Sequence, residues 1–176
     1  MSFLVILTYL LNKAGYLSGT VTIEHYHIMG KWMLAFSVFW AYIGFSQYML
    51  IWYANIPEET EYFLLRNTES WNLMSLLLVI GRFFIPFSIL LLRYPKKHPN
   101  QLVKIASWIV FMQLLDVYIV VLPELHRTGV HFHLLDIVPL IGMGGVLVFL
   151  FLKIITKSSL FPVRDPRIIE SLRILN

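Results

Sequence analysis

Four stretches of the chain are apolar almost without interruption, at approximately Lys31–Ala54, Trp71–Leu92, Leu102–Leu122 and His133–Lys153. Each holds about 20 predominantly apolar residues, the length a helix needs to cross a ~30 Å hydrocarbon core. A bilayer offers no water to backbone N–H and C=O groups, so such segments must be helices or strands of a closed barrel. Barrel strands are about half as long and alternate in polarity, and these runs do neither. The pattern predicts an all-α integral membrane protein, with a four-helix transmembrane bundle over residues 31–153. Residues 1–30 are read as the end of a preceding helix plus a cytoplasmic loop, and 154–176 as a cytoplasmic tail with a short surface helix.

The two flanks carry their own patterns. Phe3–Leu11 is an apolar run of nine residues ending in Asn12-Lys13. It is too short to span and lacks the basic n-region and small-residue cleavage site of a signal peptide. Its polar end leads into a loop, so its apolar end is expected to point into the membrane as a truncated N-terminal helix. The alternative is a short interfacial helix starting at Met1. In the tail, Asp165 is expected to cap a C-terminal interfacial helix with Pro166 at its first position. Ile169 and Leu172 then face lipid or a partner, while Arg167, Glu170 and Arg173 stay wet.

Composition agrees with the pattern: 58% of residues are hydrophobic and 14% charged, with a mean hydropathy of +0.72, well outside the range of soluble domains. There is no cysteine, so this chain holds no c-type haem attachment, cysteine-ligated iron–sulfur cluster or disulfide. The net charge of +4 matters less than its placement. Lys13, Lys31, Arg93, Lys96, Lys97, Lys104, Lys153, Lys157, Arg164, Arg167 and Arg173 fall on one side of the predicted spans. Only Arg66 and Arg127 fall on the other, and Arg82 lies within a span. The positive-inside rule puts both ends in the cytoplasm and loops 55–70 and 123–132 outside.

A charge inside a bilayer helix is costly and calls for a reason. Arg82 sits near the middle of the second span, Asp116 about six residues (~9 Å) from the outer end of the third, and Asp136 a turn inside the fourth. Gln47, Ser75 and Gln113 lie at comparable depths, and Gln113 shares a helix face with Asp116. Pro86 deprives the carbonyl of Arg82 of its helical donor, and Pro139 does the same to Leu135. Gly44, Gly81, Gly142, Gly144 and Gly145 would let helices approach closely. One reading is a proton path with Glu58 and Glu59 at its mouth, Asp136 and Asp116 within, and Arg82 at its inner limit. The other is a hydrogen-bonded polar layer that fixes helix register, with Asp136 serving its own helix N-terminus.

All six histidines, His25, His27, His98, His126, His131 and His133, fall in loops or at span ends, so no axial ligand pair for b-type haem lies inside a span. His131 and His133 lack further candidate ligands nearby, and no metal site is expected. Trp32, Trp40, Trp52, Tyr53, Tyr62 and Trp71 are read mostly as an interfacial aromatic belt.

Three segments carry a resemblance. FWAYIGFSQYMLIWYANIPEE (39–59), LDVYIVVLP (115–123) and PVRDPRIIESL (162–172) closely resemble the ActF-type membrane subunits of alternative complex III, a bacterial quinol:cytochrome c (or quinol:oxidase) oxidoreductase with NrfD-like, polysulfide-reductase-type membrane subunits. The resemblance covers roughly residue 20 to the C-terminus. It implies the second of two four-helix bundles, a location in the bacterial inner membrane, a sister NrfD-like membrane subunit, an external iron–sulfur protein and c-type cytochrome partners. Haem c and iron–sulfur clusters would belong to those partners, with no cofactor bound by this chain and quinol a candidate ligand. It further implies a scaffold role with a proton half-channel coupled to quinol oxidation in partner subunits. The alternatives are a purely structural membrane anchor of a redox complex and a small ion-coupled transporter. The latter would call for an inverted repeat, and no similarity between the two halves is visible.

Overall fold

The computed structural model describes residues 1–125, 129–130, 133–157, 159–160 and 166–173. These residues fold as helices and turns with no strand among them. Nine α-helices follow one another within the described residues: α1 (Ser2–Lys13), α2 (Ile23–Ala54), α3 (Pro57–Leu65), α4 (Glu69–Val79), α5 (Ile85–Leu91), α6 (Arg93–Lys97), α7 (Pro99–Val121), α8 (Leu134–Ile155) and α9 (Ile168–Leu172). A π turn, Ile80–Phe84, joins α4 to α5, and a 3-10 turn, Leu122–Glu124, closes α7. Four segments are long and apolar enough to cross a membrane: Ile23–Ala54, Ser70–Leu91, Pro99–Glu124 and Leu134–Ile155. The protein is an all-α membrane protein.

The chain divides into two compact units, Met1–Val130 and His131–Leu175. The first holds α1, three spans and their connections. Its core joins Val5 of α1, Tyr26 and Met33 of α2, Leu90 of α5, and Leu102, Ile105, Ala106 and Ile109 of α7. The second holds the fourth span, α8, and the short helix α9. No residue of α8 is buried.

The first span begins earlier than its hydropathy suggests. α2 starts at Ile23, eight residues before Lys31, because Thr22 and His25 form a capping box that satisfies backbone donors at the helix start. Glu24 and Lys97 then pair at 2.5 Å, tying this end of α2 to α6. The other end closes at Asn55, whose backbone is left-handed (φ 49°) and whose N–H donates to Ile51 O at 3.1 Å. Pro57 does more than stop the helix: it occupies the first turn of α3, a helix inside what the sequence suggests is a plain loop. The tail departs in the opposite direction. α9 starts at Ile168, two residues later than expected, and Asp165 lies outside the described residues.

α1 packs along α7, with the Tyr9 hydroxyl donating to Asn100 Oδ1 at 2.6 Å. Its lysine end therefore lies at the same end of the unit as the start of α7, and its apolar end runs toward mid-span. At the opposite end, Arg66 fastens the α3–α4 turn to α7. Its Nε donates to Ile119 O (3.1 Å), one terminal nitrogen to Val120 O (2.7 Å) and the other to Tyr62 O (2.6 Å). The guanidinium also lies 3.5 Å from the centre of the Tyr62 ring. Carbonyls in the last turn of a helix lack intrahelical donors and sit at the negative end of its dipole, so a cation is well placed there. Burial pushes the Arg66 guanidinium below the usual arginine range, and Tyr62 and Glu124 oppose that shift.

Lysine has no planar fork and cannot reproduce three divergent donors. Arg66→Lys is expected to lower stability by about 1.5–3 kcal/mol, the range for hydrogen bonds to charged groups. Thermal unfolding of the purified protein in detergent or nanodiscs measures this.

Candidate functional site: an intramembrane polar cluster

Mid-span in the first unit, α2, the π turn and α7 each contribute polar atoms to one hydrogen-bonded cluster. Arg82 projects from the π turn. One terminal nitrogen donates to the backbone carbonyl of Ile109 at 2.9 Å and the other to Gln113 Oε1 at 2.5 Å. The Gln113 amide then donates from Nε2 to Asp116 Oδ2 at 3.2 Å. From α2, the indole N–H of Trp40 donates to the same oxygen at 3.1 Å, and the Arg82 guanidinium lies 5.6 Å from the centre of the Trp40 rings, within cation–π range.

The order of these contacts is chemically determined. A guanidinium only donates and an ionised carboxylate only accepts. An amide between them must turn its oxygen to Arg82 and its nitrogen to Asp116. Gln113 therefore acts as a polar bridge, and Arg82 reaches Asp116 through it instead of by a direct ion pair. Oδ2 of Asp116 takes both N–H donors. Its other oxygen, Oδ1, takes none among the described residues, so one edge of the carboxyl is anchored and the other is open. Arg82 and Asp116 are half-buried and Gln113 is exposed.

Arg82 has a further donor. Its Nε is buried without a partner among the described residues. The side chain also lines a cavity of about 100 Å³ together with Ser37, Met33 and Ile109, a volume sufficient for water. Ser37 donates to Met33 O at 2.9 Å, which leaves its oxygen able to accept.

The π turn explains why Arg82 is presented in this way. Pro86 has no N–H, so an α-helical register would leave the carbonyl of Arg82 without its donor. The chain widens instead: Ile85 N–H donates back five residues to Ile80 O, a π-type bond. This shifts the deficit by one residue. Gly81 O loses its α partner, Ile85, to Ile80, and its π partner would be Pro86. The indole N–H of Trp108 on α7 takes the place of both, donating to Gly81 O at 2.8 Å. The freed carbonyl in use is thus that of Gly81, one residue before the position inferred from sequence. Gly81 is also where the helices touch: a Cβ there would lie 2.8 Å from Met112 Sδ.

Other candidates stand elsewhere. Asp136 serves its own helix, accepting from the N–H of His133 at 3.0 Å in a capping box at the start of α8; it belongs to the second unit. Gln47 is exposed and Ser75 half-buried, and neither enters the bonded cluster. Glu58 and Glu59 are exposed in the first turn of α3, where the helix dipole favours negative charge. A Cβ placed on Gly44 would meet nothing within 4 Å, so this glycine marks no close helix approach among the described residues. Of the histidines, His133 caps α8 through its ring nitrogen, while His126 and His131 lie outside the described residues. Among the described residues no group of three or more His, Asp or Glu side chains is placed to hold a metal.

Two tryptophans depart from the belt reading. Trp71 is fully buried against Tyr118, with ring centres 5.9 Å apart. Trp40 belongs to the polar cluster. Its position, 14 residues from the end of α2, already separates it from an interface, since a belt residue belongs within the last turns of a span. A third tryptophan, Trp108, lies nine residues into α7, and nothing in the apolar pattern around it signals its role as a donor.

No protein-family model matches the chain, and no curated protein matches it.

Replacing Trp108 by Phe keeps an aromatic ring but leaves Gly81 O without a donor. An unmade bond to a buried carbonyl costs about 1–3 kcal/mol. The variant is expected to lose that much stability and to show faster amide hydrogen exchange confined to residues 80–88, measured by mass spectrometry in nanodiscs.

Proposed function

We propose that the chain is a membrane subunit of a quinol-oxidising respiratory complex of the alternative complex III type, in the bacterial cytoplasmic membrane. It supplies transmembrane scaffold and an intramembrane relay group for protons. The observation that carries this reading is the Arg82–Gln113–Asp116–Trp40 cluster, an ionisable network held at bilayer depth, where each charge is expensive unless it serves a purpose. Asp116 falls within one of the three segments that resemble ActF-type subunits. A carboxyl anchored through one oxygen and open at the other suits proton acceptance and release.

The topology belongs to the same proposal. The α1–α2 and α5–α7 connections share one end of the first unit, and α3 and the turn after α7 share the other. The lysine-rich end is cytoplasmic and α3, with Glu58 and Glu59, is periplasmic. Redox cofactors reside in partners: a sister NrfD-like subunit, an external iron–sulfur protein and c-type cytochromes. Arg82 also supports a second reading, in which the chain is an anchor only. Its bond to Ile109 O fastens the π turn to α7 whether or not protons move.

Asp116→Asn in the assembled complex separates the two. The relay reading expects the variant to co-purify with a full complement of c-type cytochromes, while quinol turnover falls by about a hundredfold or more, as for loss of a proton-transfer group, and proton release per electron drops toward the one proton that quinol oxidation itself yields. Unchanged turnover and unchanged proton release assign the cluster to scaffolding. Purification of the chain alone, with no cytochrome, counts against the complex itself.

A further inference from the structure

Between α5 and α7 lies a groove of about 330 Å³, lined by Ile85, Pro86, Ile89, Lys104, Ile105 and Trp108. Its wall is apolar, and Lys104 contributes the carbon stem of its side chain to it. Three features of the fold build it. Pro86 and the π turn set the backbone of α5 apart from a regular helix. The Trp108 indole is fixed in place by its bond to Gly81 O, giving the groove a rigid wall at mid-span. At its other end Lys104 is exposed, five residues beyond Pro99 and hence ~7.5 Å along α7, a depth from which a lysine reaches the headgroup layer.

The surrounding charge is one-sided. Lys31, Arg93, Lys96 and Lys97 cluster at this end of the unit, where Glu24 pairs with Lys97. Lys96 is buried, its side chain close against Gly30. Burial pushes its ammonium below the usual lysine range, and Lys31 and Arg93 push it the same way.

We propose that the groove is a binding site for an anionic phospholipid, with the upper part of one acyl chain lying against Ile85, Ile89 and Trp108 and the phosphate on Lys104. An apolar trough that ends in a cation matches the build of such a lipid, and basic pockets between transmembrane helices on the cytoplasmic side recognise acidic headgroups in this way. The site is independent of the quinol and proton roles above. It would stand if the chain were an anchor.

Native mass spectrometry of the purified assembly, exchanged into detergent with phosphatidylglycerol or phosphatidylcholine of identical chains, tests this. One phosphatidylglycerol is expected to be retained in preference to phosphatidylcholine by about fivefold, the contribution of one lysine at an anionic surface. Lys104→Gln removes the preference and Lys104→Arg keeps it. Ile89→Trp, which fills the trough, lowers retention of both lipids. Equal retention of the two lipids by the wild-type chain overturns the proposal, as does a preference unchanged in Lys104→Gln. Retention of a quinone that Ile89→Trp abolishes, with no bound phospholipid, likewise overturns it and assigns the groove to a quinone.

Discussion

A guanidinium held inside a bilayer must find its hydrogen-bond acceptors within the protein, and most of the first unit's mid-span architecture follows from satisfying Arg82. Its two terminal nitrogens reach α7, one at a backbone carbonyl and one at Gln113. That requirement fixes the rotation of α7 about its own axis, which in turn aims Asp116 at Trp40. The proline four residues after Arg82 removes a backbone donor, the helix widens into a π turn, and Trp108 supplies the missing N–H. Each step leaves a polar group that only one neighbour can satisfy. Such a chain of obligations sets helix register more sharply than apolar packing does, since lipid tails and leucines attract one another equally well.

The ends of the spans are held by different chemistry. At one end, Arg66 gathers three backbone carbonyls from two helices; at the other, Glu24 pairs with Lys97. Both arrangements place a charge beside groups that a helix leaves unsatisfied or beside an opposite charge, where water still weakens but does not abolish the attraction. The mid-span cluster differs from both. It combines one cation and one anion without direct contact, separated by an amide that can transmit polarity in only one direction.

The helical nature and number of the spans were legible because long apolar runs admit one solution in a bilayer. The four spans and the short apolar helix α1 all appear. Arg82, Gln113 and Asp116 were also legible as a group, because charge at bilayer depth stands out against leucine and Gln113 lies three residues from Asp116. Their partner Trp40 was not. An indole is both belt residue and hydrogen-bond donor, and hydropathy does not distinguish the two. Arg66 looked like an ordinary loop cation, since its value lies in carbonyls more than fifty residues away along the chain. The start of α2 was missed for a related reason: Glu24, His25 and His27 lower local hydropathy, yet their side chains are what cap and tether the helix. The π turn required knowing that Pro86 acts on two upstream carbonyls, and the division after Val130 has no compositional marker.

At 32 residues, α2 is a rod of about 48 Å set against a hydrocarbon slab of ~30 Å. It must lean or project. Its first turns are moored to α6 by the Glu24–Lys97 pair, while its far end carries Tyr48, edge-on to Phe63 of α3, and Trp52, stacked on the same ring. Aromatic rings tolerate a range of depths at the water boundary better than an ion pair tolerates stretching. Differences in bilayer thickness are therefore taken up at the tyrosine and tryptophan end, which floats, and not at the lysine end, which is pinned.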